Sequence, residues 1–330
     1  MPARPTHAPT LLGAGPFSRP ADSRHLLGLE GMPRETLVEL LADANRFRGR
    51  LDDDPRAVTG ELAGVTVCNA FFENSTRTRV SFELAERKLG ATSVSFAAFE
   101  SSTAKGETLL DTLRVIESMR VDLVVVRHQA SGAAAFLARH LDTGVINGGD
   151  GRHEHPTQGL LDLLTLSRAW QGRFEGRRVA IVGDIAHSRV ARSAIQGLRT
   201  LGSDVVVAGP PTLIPPGLEP LGVRVAGSAD EAVDGADAVI ALRLQHERME
   251  QGLLASVSEY ARIWGIDARR AARLGTGGMV LHPGPMNRGV EIAPDVADGA
   301  RSVVLEQVTN GVAVRCAVLK RCASALAEAA

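Results

Sequence analysis

Phe71-Phe72-Glu73-Asn74-Ser75-Thr76-Arg77-Thr78-Arg79-Val80-Ser81-Phe82-Glu83-Leu84 joins two different patterns. Ahead of it, Val65-Thr66-Val67-Cys68-Asn69-Ala70 is β-rich and of strand length. Behind it, a helical pattern runs to Leu89-Gly90, with glycine where a helix C-terminus favours it. Ser75 to Arg79 is therefore expected where a strand hands over to a helix. The first N–H groups of a helix have no internal partner, and the dipole there favours negative charge. Ser75, Thr76 and Thr78 add hydroxyl donors, and Arg77 and Arg79 add cationic forks. Two arginines at a helix start oppose the dipole's preference for acids, a conflict that an anion between them relieves. Read structurally, the same residues are a Ser/Thr N-cap and a solvated basic turn. Their clustering behind an apolar strand favours a phosphate site. The stretch lacks the Gly-Lys-Ser/Thr ending of a nucleotide P-loop.

The bulk numbers set bounds. A chain of 330 residues is long enough for two core-bearing domains. With 44% apolar and 23% charged residues it has an ordinary globular composition. A net charge of −1 gives no overall field to attract nucleic acid, so an anion site must be made by local clustering. No apolar run reaches membrane-spanning length, and the N-terminus lacks a signal-peptide core, so no membrane partner is expected. Cys68, Cys316 and Cys322 are scattered without metal spacing and read as free thiols in a reducing, cytoplasmic setting. Of 37 basic residues only Lys88, Lys105 and Lys320 are lysine. A lysine inside a motif therefore hints that an ammonium is needed there.

Residues 1–23 carry proline, glycine and small residues without periodicity and read as a mobile tail. Leu37, Leu40, Leu41, Ala44 and Phe47 share one face of a helix over Arg34–Phe47. After a strand near Thr92–Phe96, the polar loop Glu100–Thr108 leads into a helix from Thr108 to Met119. Asp122–His128 is a buried strand ending in Arg127, and ligands of parallel sheets gather at such carboxyl ends. A strand-end arginine on the surface is the bland alternative, and His128 reads as structural. Ile146 to Gly151 reads as a glycine-rich loop, followed by a helix from Leu160 to Trp170. His153-Glu154-His155 suggests zinc, but alternating histidines do not make an i, i+4 pair and no third ligand is evident, so no metal is expected. Gly183-Asp-Ile-Ala-His-Ser188 follows a strand but lacks the dinucleotide glycine spacing, which excludes a nicotinamide cofactor; no cofactor is expected at all. Further strands fall near Asp204–Ala208, Val223–Ala226 and Ala238–Leu242, with a proline-rich link from Pro210 to Pro220 and a long final helix from Gln307 to Ala329. This alternation predicts an α/β fold of two domains, each a parallel sheet flanked by helices. Arg243 and Gln245, two apart in an extended segment, could face the same way.

Phe72-Glu-Asn-Ser-Thr-Arg-Thr-Arg79 resembles the carbamoyl-phosphate motif of the transcarbamoylases, and the later motifs resemble the aspartate branch of that superfamily, from about Arg24 to the C-terminus. The resemblance implies a carbamoyl-phosphate-binding domain of residues 24–156 plus 307–330, completed by the returning C-terminal helix, and an aspartate-binding domain of residues 157–306. It implies that Ser101 and Lys105 reach into a neighbouring subunit's site, so that the chain acts as a homotrimer. It places Ser75, Thr76, Arg77, Thr78, Ser101, Lys105, Arg127, His155 and Gln158 on carbamoyl phosphate, with His155 on the carbamoyl oxygen. It places Lys105, Arg189, Arg243, Gln245 and the segment Pro283, Gly284 and Pro285 on aspartate. Arg77, Thr78, Lys105, Arg127 and His155 form the implied catalytic set.

The implied reaction gives N-carbamoyl-L-aspartate and phosphate, the committed step of de novo pyrimidine biosynthesis. The gathered cations suit a phosphate and two carboxylates together better than either substrate alone. Ornithine transcarbamoylases carry His-Cys-Leu-Pro and an Asp-x-x-x-Ser-Met-Gly loop; this chain has His282-Pro-Gly-Pro285 and Arg243-Leu-Gln245, which suit a dicarboxylate. A non-catalytic subunit on the same fold would show a broken Arg77, Lys105 or His155, and all three are present. The segment His282 to Gly289 resembles members that do not bind a zinc-containing regulatory chain, some of which associate with dihydroorotase. A regulatory chain and dihydroorotase are thus the two candidate partners.

Overall fold

The computed structural model describes residues 23–97, 107–245, 254 and 256–329. Ser101, Lys105 and the tail as far as residue 22 lie outside the described residues. The chain runs α1 (Arg34–Asp53), β1 (Thr66–Phe71), α2 (Thr76–Leu89), β2 (Thr92–Ala97), α3 (Leu109–Ser118), β3 (Leu123–His128), α4 (Ala133–Leu137), β4 (Gly144–Asp150) and α5 (Pro156–Trp170). It continues with β5 (Arg178–Val182), α6 (Arg189–Thr200), β6 (Asp204–Ala208), β7 (Val223–Val225), α7 (Ala229–Val233), β8 (Ala238–Ala241), α8 (Val257–Trp264), α9 (Ala268–Ala272), β9 (Met279–Leu281), α10 (Pro294–Ala297) and α11 (Val304–Ala329).

Two parallel sheets result, ordered β2-β1-β3-β4 and β7-β6-β5-β8-β9. Leu123-Val-Val-Val126 and Val179-Ala-Ile-Val182 are buried at every position. Continuous β-branched runs of this kind fit strands covered by helices on both faces. α11 returns from the second half to pack on α1, α2 and α5, and carries Cys316 and Cys322 into the same core as Leu37, Phe82 and Leu160. Cys68, Cys316 and Cys322 are free and buried.

Several boundaries differ from the sequence reading. α1 runs six residues past Phe47, where its apolar face ends; Arg48 pairs with Asp52 and Arg50 with Glu61 along the polar extension. α5 starts at Pro156, not Leu160, because proline at the first helical position costs no hydrogen bond. α11 starts at Val304, not Gln307. The main correction is Ile146 to Gly151, read as a loop: most of it belongs to β4, buried at all seven positions and paired with β3. Gly148 and Gly149 lie within the strand and only Gly151 enters a turn. They keep side chains out of the way of neighbours, as the strand-end chemistry below requires.

α5 and α6 meet through glycine. A Cβ at Gly159 would lie 2.8 Å from Leu29 Cδ1 and 2.9 Å from Ser193 Cβ. Alanine is about 1 kcal/mol better than glycine within a helix, but overpacking a tight core costs about 1–3 kcal/mol. Gly159→Ala is therefore expected to lower the thermal midpoint. Gly49→Ala, in α1 with nothing within 4 Å of its added carbon, should raise it or leave it unchanged. Thermal melts of the two variants side by side check the sign.

Candidate active site

Ligand sites of open parallel sheets form beyond the carboxyl ends of strands, where the strand order reverses direction. In the first sheet that point lies between β1 and β3, and in the second between β5 and β8. The Ser75–Arg79 stretch follows β1, Arg127 ends β3, Arg189 follows β5 and Arg243 follows β8. Every cation on this path leaves a strand at one of the two reversal points.

Ser75 is the N-cap of α2, as the sequence predicts, but its hydroxyl makes no capping bond. Gly90 closes the helix in the left-handed conformation, φ 77°. Thr78 is buried while Arg77 stays largely exposed. Arg77's guanidinium is held below its ordinary value, first by lost solvation and then by the like charge of Arg243. A Cβ on Gly284 would lie 3.6 Å from Arg77 Cζ. Arg77, Arg243 and the loop after β9 thus converge from both halves. Gln245 donates from Nε2 to the Arg243 backbone carbonyl at 3.3 Å.

A second convergence centres on Glu73, which the sequence reading quoted but assigned no role. Its Oε2 accepts from Arg189 Nη2 at 2.7 Å and lies 3.3 Å from Arg127 Nε. Arg189 is only 4% exposed and Arg127's side chain 12%. Arg127 Nη1 also donates to the Gly148 carbonyl at 3.1 Å. Gly149, at φ 116°, would place a Cβ 3.1 Å from both Arg127 Nη1 and Arg189 Cζ. A side chain at this position would crowd both guanidiniums, which explains Gly149. The expectation that buried arginines demand anionic ligands thus needs amendment: the chain supplies one anion itself. The available signal was charge balance, since two arginines at buried strand ends call for a nearby acid.

His155 is the N-cap of α5 and 5% exposed; its backbone N–H donates to Ser193 Oγ at 2.9 Å. Gln158 follows one turn later. Its Nε2 donates to Asp162 Oδ1 at 2.9 Å, and Gln307 Nε2 donates to the same oxygen at 2.7 Å. Burial pushes the Asp162 carboxyl up to about 7, partly countered by these two bonds. Gln307 Oε1 accepts the backbone N–H of His282 at 2.9 Å. The Gly284 N–H donates to His282 Nδ1 at 2.8 Å, so the ring proton sits on Nε2, facing Glu291 Oε1 at 3.1 Å. The Pro283–Pro285 loop is thereby held by a buried histidine that the sequence reading left without a role. His128 is structural, as read: its Nδ1 accepts the Ala130 N–H at 2.9 Å and its ring lies against Phe72.

The fold does bring a third potential metal ligand, Glu30, to His153 and Glu154. Glu154 is nevertheless already committed. Its oxygens accept from the Leu29 and Glu30 N–H groups and from Ser193 Oγ at 2.7 Å, anchoring the chain before α1. That donor set fits a structural anchor and gives no ground for a metal.

The family model for the carbamoyl-phosphate-binding domain of aspartate/ornithine carbamoyltransferases matches residues 24–168, and that for their Asp/Orn-binding domain matches residues 175–322. The aspartate carbamoyltransferase catalytic subunit of Myxococcus xanthus (strain DK1622) is 54% identical over 299 residues, covering 91% of this chain and 99% of its own. The crystal structure of aspartate transcarbamoylase from Trypanosoma cruzi in complex with N-(phosphonacetyl)-L-aspartic acid aligns with a TM-score of 0.81 at 31% identity, over 90% of this chain and 95% of that one. Ornithine carbamoyltransferase from Thermus thermophilus aligns with a TM-score of 0.79 at 26% identity, over 91% and 98%.

A carboxyl raised from 3.8 to about 7 on folding stabilises the fold fully below its unfolded value. That stability is lost as pH rises toward and through about 7, because the native state holds a proton the unfolded state has released. Asp162→Asn cannot ionise. Its thermal midpoint relative to the parent is expected to rise between about pH 4 and 7 and then level off, as read from melts across that range.

Proposed function

This chain belongs to the aspartate/ornithine carbamoyltransferase family, and we propose how its residues divide the work between two substrates. It transfers the carbamoyl group of carbamoyl phosphate to the amine of L-aspartate, giving N-carbamoyl-L-aspartate and phosphate. The observation that carries the residue assignment is the convergence of Arg77, Arg243 and the Gly284 loop at the carboxyl ends of both sheets.

In this reading Ser75, Thr76, Arg77 and Thr78 hold the phosphate through hydroxyls, guanidinium and helix-start N–H groups. Thr78, Arg127 and His155 polarise the carbamoyl oxygen, and Gln158 contacts the carbamoyl group. Arg189, Arg243 and Gln245 hold the aspartate carboxylates, with Pro283, Gly284 and Pro285 shaping the loop around the amine. The neutral amine attacks the carbamoyl carbon, forming a C–N bond. The tetrahedral oxyanion collapses, the C–O bond to phosphate breaks, and the nitrogen sheds a proton. No side chain is assigned as a dedicated base. Losing one oxyanion donor typically costs about 10²–10³ in rate. Holding two substrates together can supply about 7–11 kcal/mol.

We further infer a division into residues 24–156 plus 307–330 for carbamoyl phosphate and 157–306 for aspartate, a cytoplasmic setting, and a role in pyrimidine biosynthesis. Among the described residues no helix is long and apolar enough to cross a membrane, and the three cysteines are free and buried. The relative's name as a catalytic subunit supports assembly. We assign a homotrimer in which Ser101 and Lys105 serve the neighbouring site.

Two measurements test these readings. Colorimetry of carbamoylated product with aspartate, with ornithine and without acceptor should yield carbamoyl-aspartate alone. Citrulline would overturn the second substrate's assignment, and no product in any arm would overturn the enzyme. Arg77→Ala and Lys105→Ala proteins, each inactive, should regain activity when mixed and allowed to exchange subunits; exchange without recovery would refute the shared site.

A further inference from the structure

Asp162 is 1% exposed, and two amides donate to it: Gln158 on its own helix and Gln307 on α11. Both donate to one oxygen, Oδ1. An amide has a donor end and an acceptor end, so an acceptor that captures the NH₂ fixes which way the other end faces. For Gln307 the consequence is visible, since its Oε1 is turned to the backbone N–H of His282. For Gln158 the captured NH₂ turns Oε1 away from Asp162, on a residue one turn along α5 from His155.

We propose that Asp162 is a positioning residue: it turns Gln158 Oε1 toward the substrates, where it accepts an N–H of the carbamoyl group, and through Gln307 it ties that amide to the His282–Pro285 loop. The inference rests on the carbamoyl-transfer reading. Its chemistry follows from the inventory of the cleft. Ser75, Thr76, Arg77, Arg127 and Arg243 bring hydroxyl and cationic donors. Phosphate, carbonyl and carboxylate oxygens of the substrates match them. The carbamoyl NH₂ is itself a donor and needs an acceptor, which a flipped Gln158 could not offer. A flipped amide would present its own NH₂ instead, at the cost of an unmet pair.

The test compares two ligands and a residue swap. N-(phosphonacetyl)-L-aspartic acid carries a methylene group and no carbamoyl NH₂, so it does not need Gln158 Oε1. In Asp162→Leu, kcat/KM for carbamoyl phosphate should fall about 10- to 100-fold, the scale of an unsatisfied buried group. Inhibition by the phosphonacetyl compound should change less than about threefold. General damage to the site would weaken both ligands alike and overturn the proposal, as would an unchanged kcat/KM. Should that variant not fold, the swap decides. Gln158→Glu sets two carboxyls against each other and should lose activity. Gln158→Glu combined with Asp162→Asn restores a donor at 162 and an acceptor facing the substrate. It should recover at least about tenfold over Gln158→Glu alone, a coupling that independent sites do not show. A double variant no better than Gln158→Glu overturns the proposal. A parent protein that makes no carbamoyl-aspartate would instead remove the reading beneath it.

Discussion

Glu73 Oε2 receives one guanidinium from each half of the molecule, Arg127 from the end of β3 and Arg189 from the start of α6. Taking such charges out of water costs several kcal/mol each unless they are paired. Arg189 is almost fully covered, and Glu73's side chain is 19% exposed. Two residues separate Glu73 from the helix start at Thr76. The same short stretch therefore both presents the anion-binding turn and anchors it to the second half. Gly149 then becomes a requirement: a Cβ there would lie 3.1 Å from both guanidiniums. The distance between the two halves of the cleft is thus set by a charge triad whose members come from β1, β3 and β5 loops.

The other cationic pair behaves differently. Lost solvation, and then the like charge of Arg243, hold the Arg77 guanidinium below its ordinary value. Such an arrangement is stabilised by an anion bound between the two arginines. One pair is compensated from within and the other is suited to compensation by substrate. Arg127 and Arg189 therefore enter the proposed site with Glu73 already beside them. The contrast explains why a chain of net charge −1 can host a strongly positive site.

Much of this was legible in the residues. The handover at Ser75–Arg79, the strands before Arg127 and Arg243, and the five-residue apolar face of α1 all follow from periodicity and strand-end position. β4 was missed because glycine is ordinarily a breaker, and its reason for being there lies in Arg127 and Arg189, distant in sequence. Glu73 was missed because a pattern of anion-binding residues draws attention to donors, and an acid inside it reads as filler. The His282–Glu291 contact and the Gln158–Asp162–Gln307 chain were illegible for a related reason. Gln307, which joins Asp162 to the His282 backbone, comes from α11, whose return to α5 no local signal specifies. Ser101 and Lys105 fall outside the described residues, so their placement rests on sequence alone.

The buried carboxyls follow a rule of their own. Asp162 is met by two glutamine amides, Glu86 by Asn69 and Ser93, and Glu154 by two backbone N–H groups and Ser193. In a chain that uses arginine so freely, none of these partners is an arginine. Neutral donors orient a carboxyl without neutralising it, and burial then pushes Asp162 and Glu86 up to about 7. An arginine beside Asp162 would satisfy it more strongly. It would also add a further fixed cation one helical turn from Gln158, the acceptor proposed for the carbamoyl N–H. An interior tuned only for stability would favour the ion pair or an apolar isostere. Choosing weaker, neutral partners keeps the cationic field on the phosphate and carboxylate side of the cleft, and leaves an acceptor where the carbamoyl nitrogen needs one.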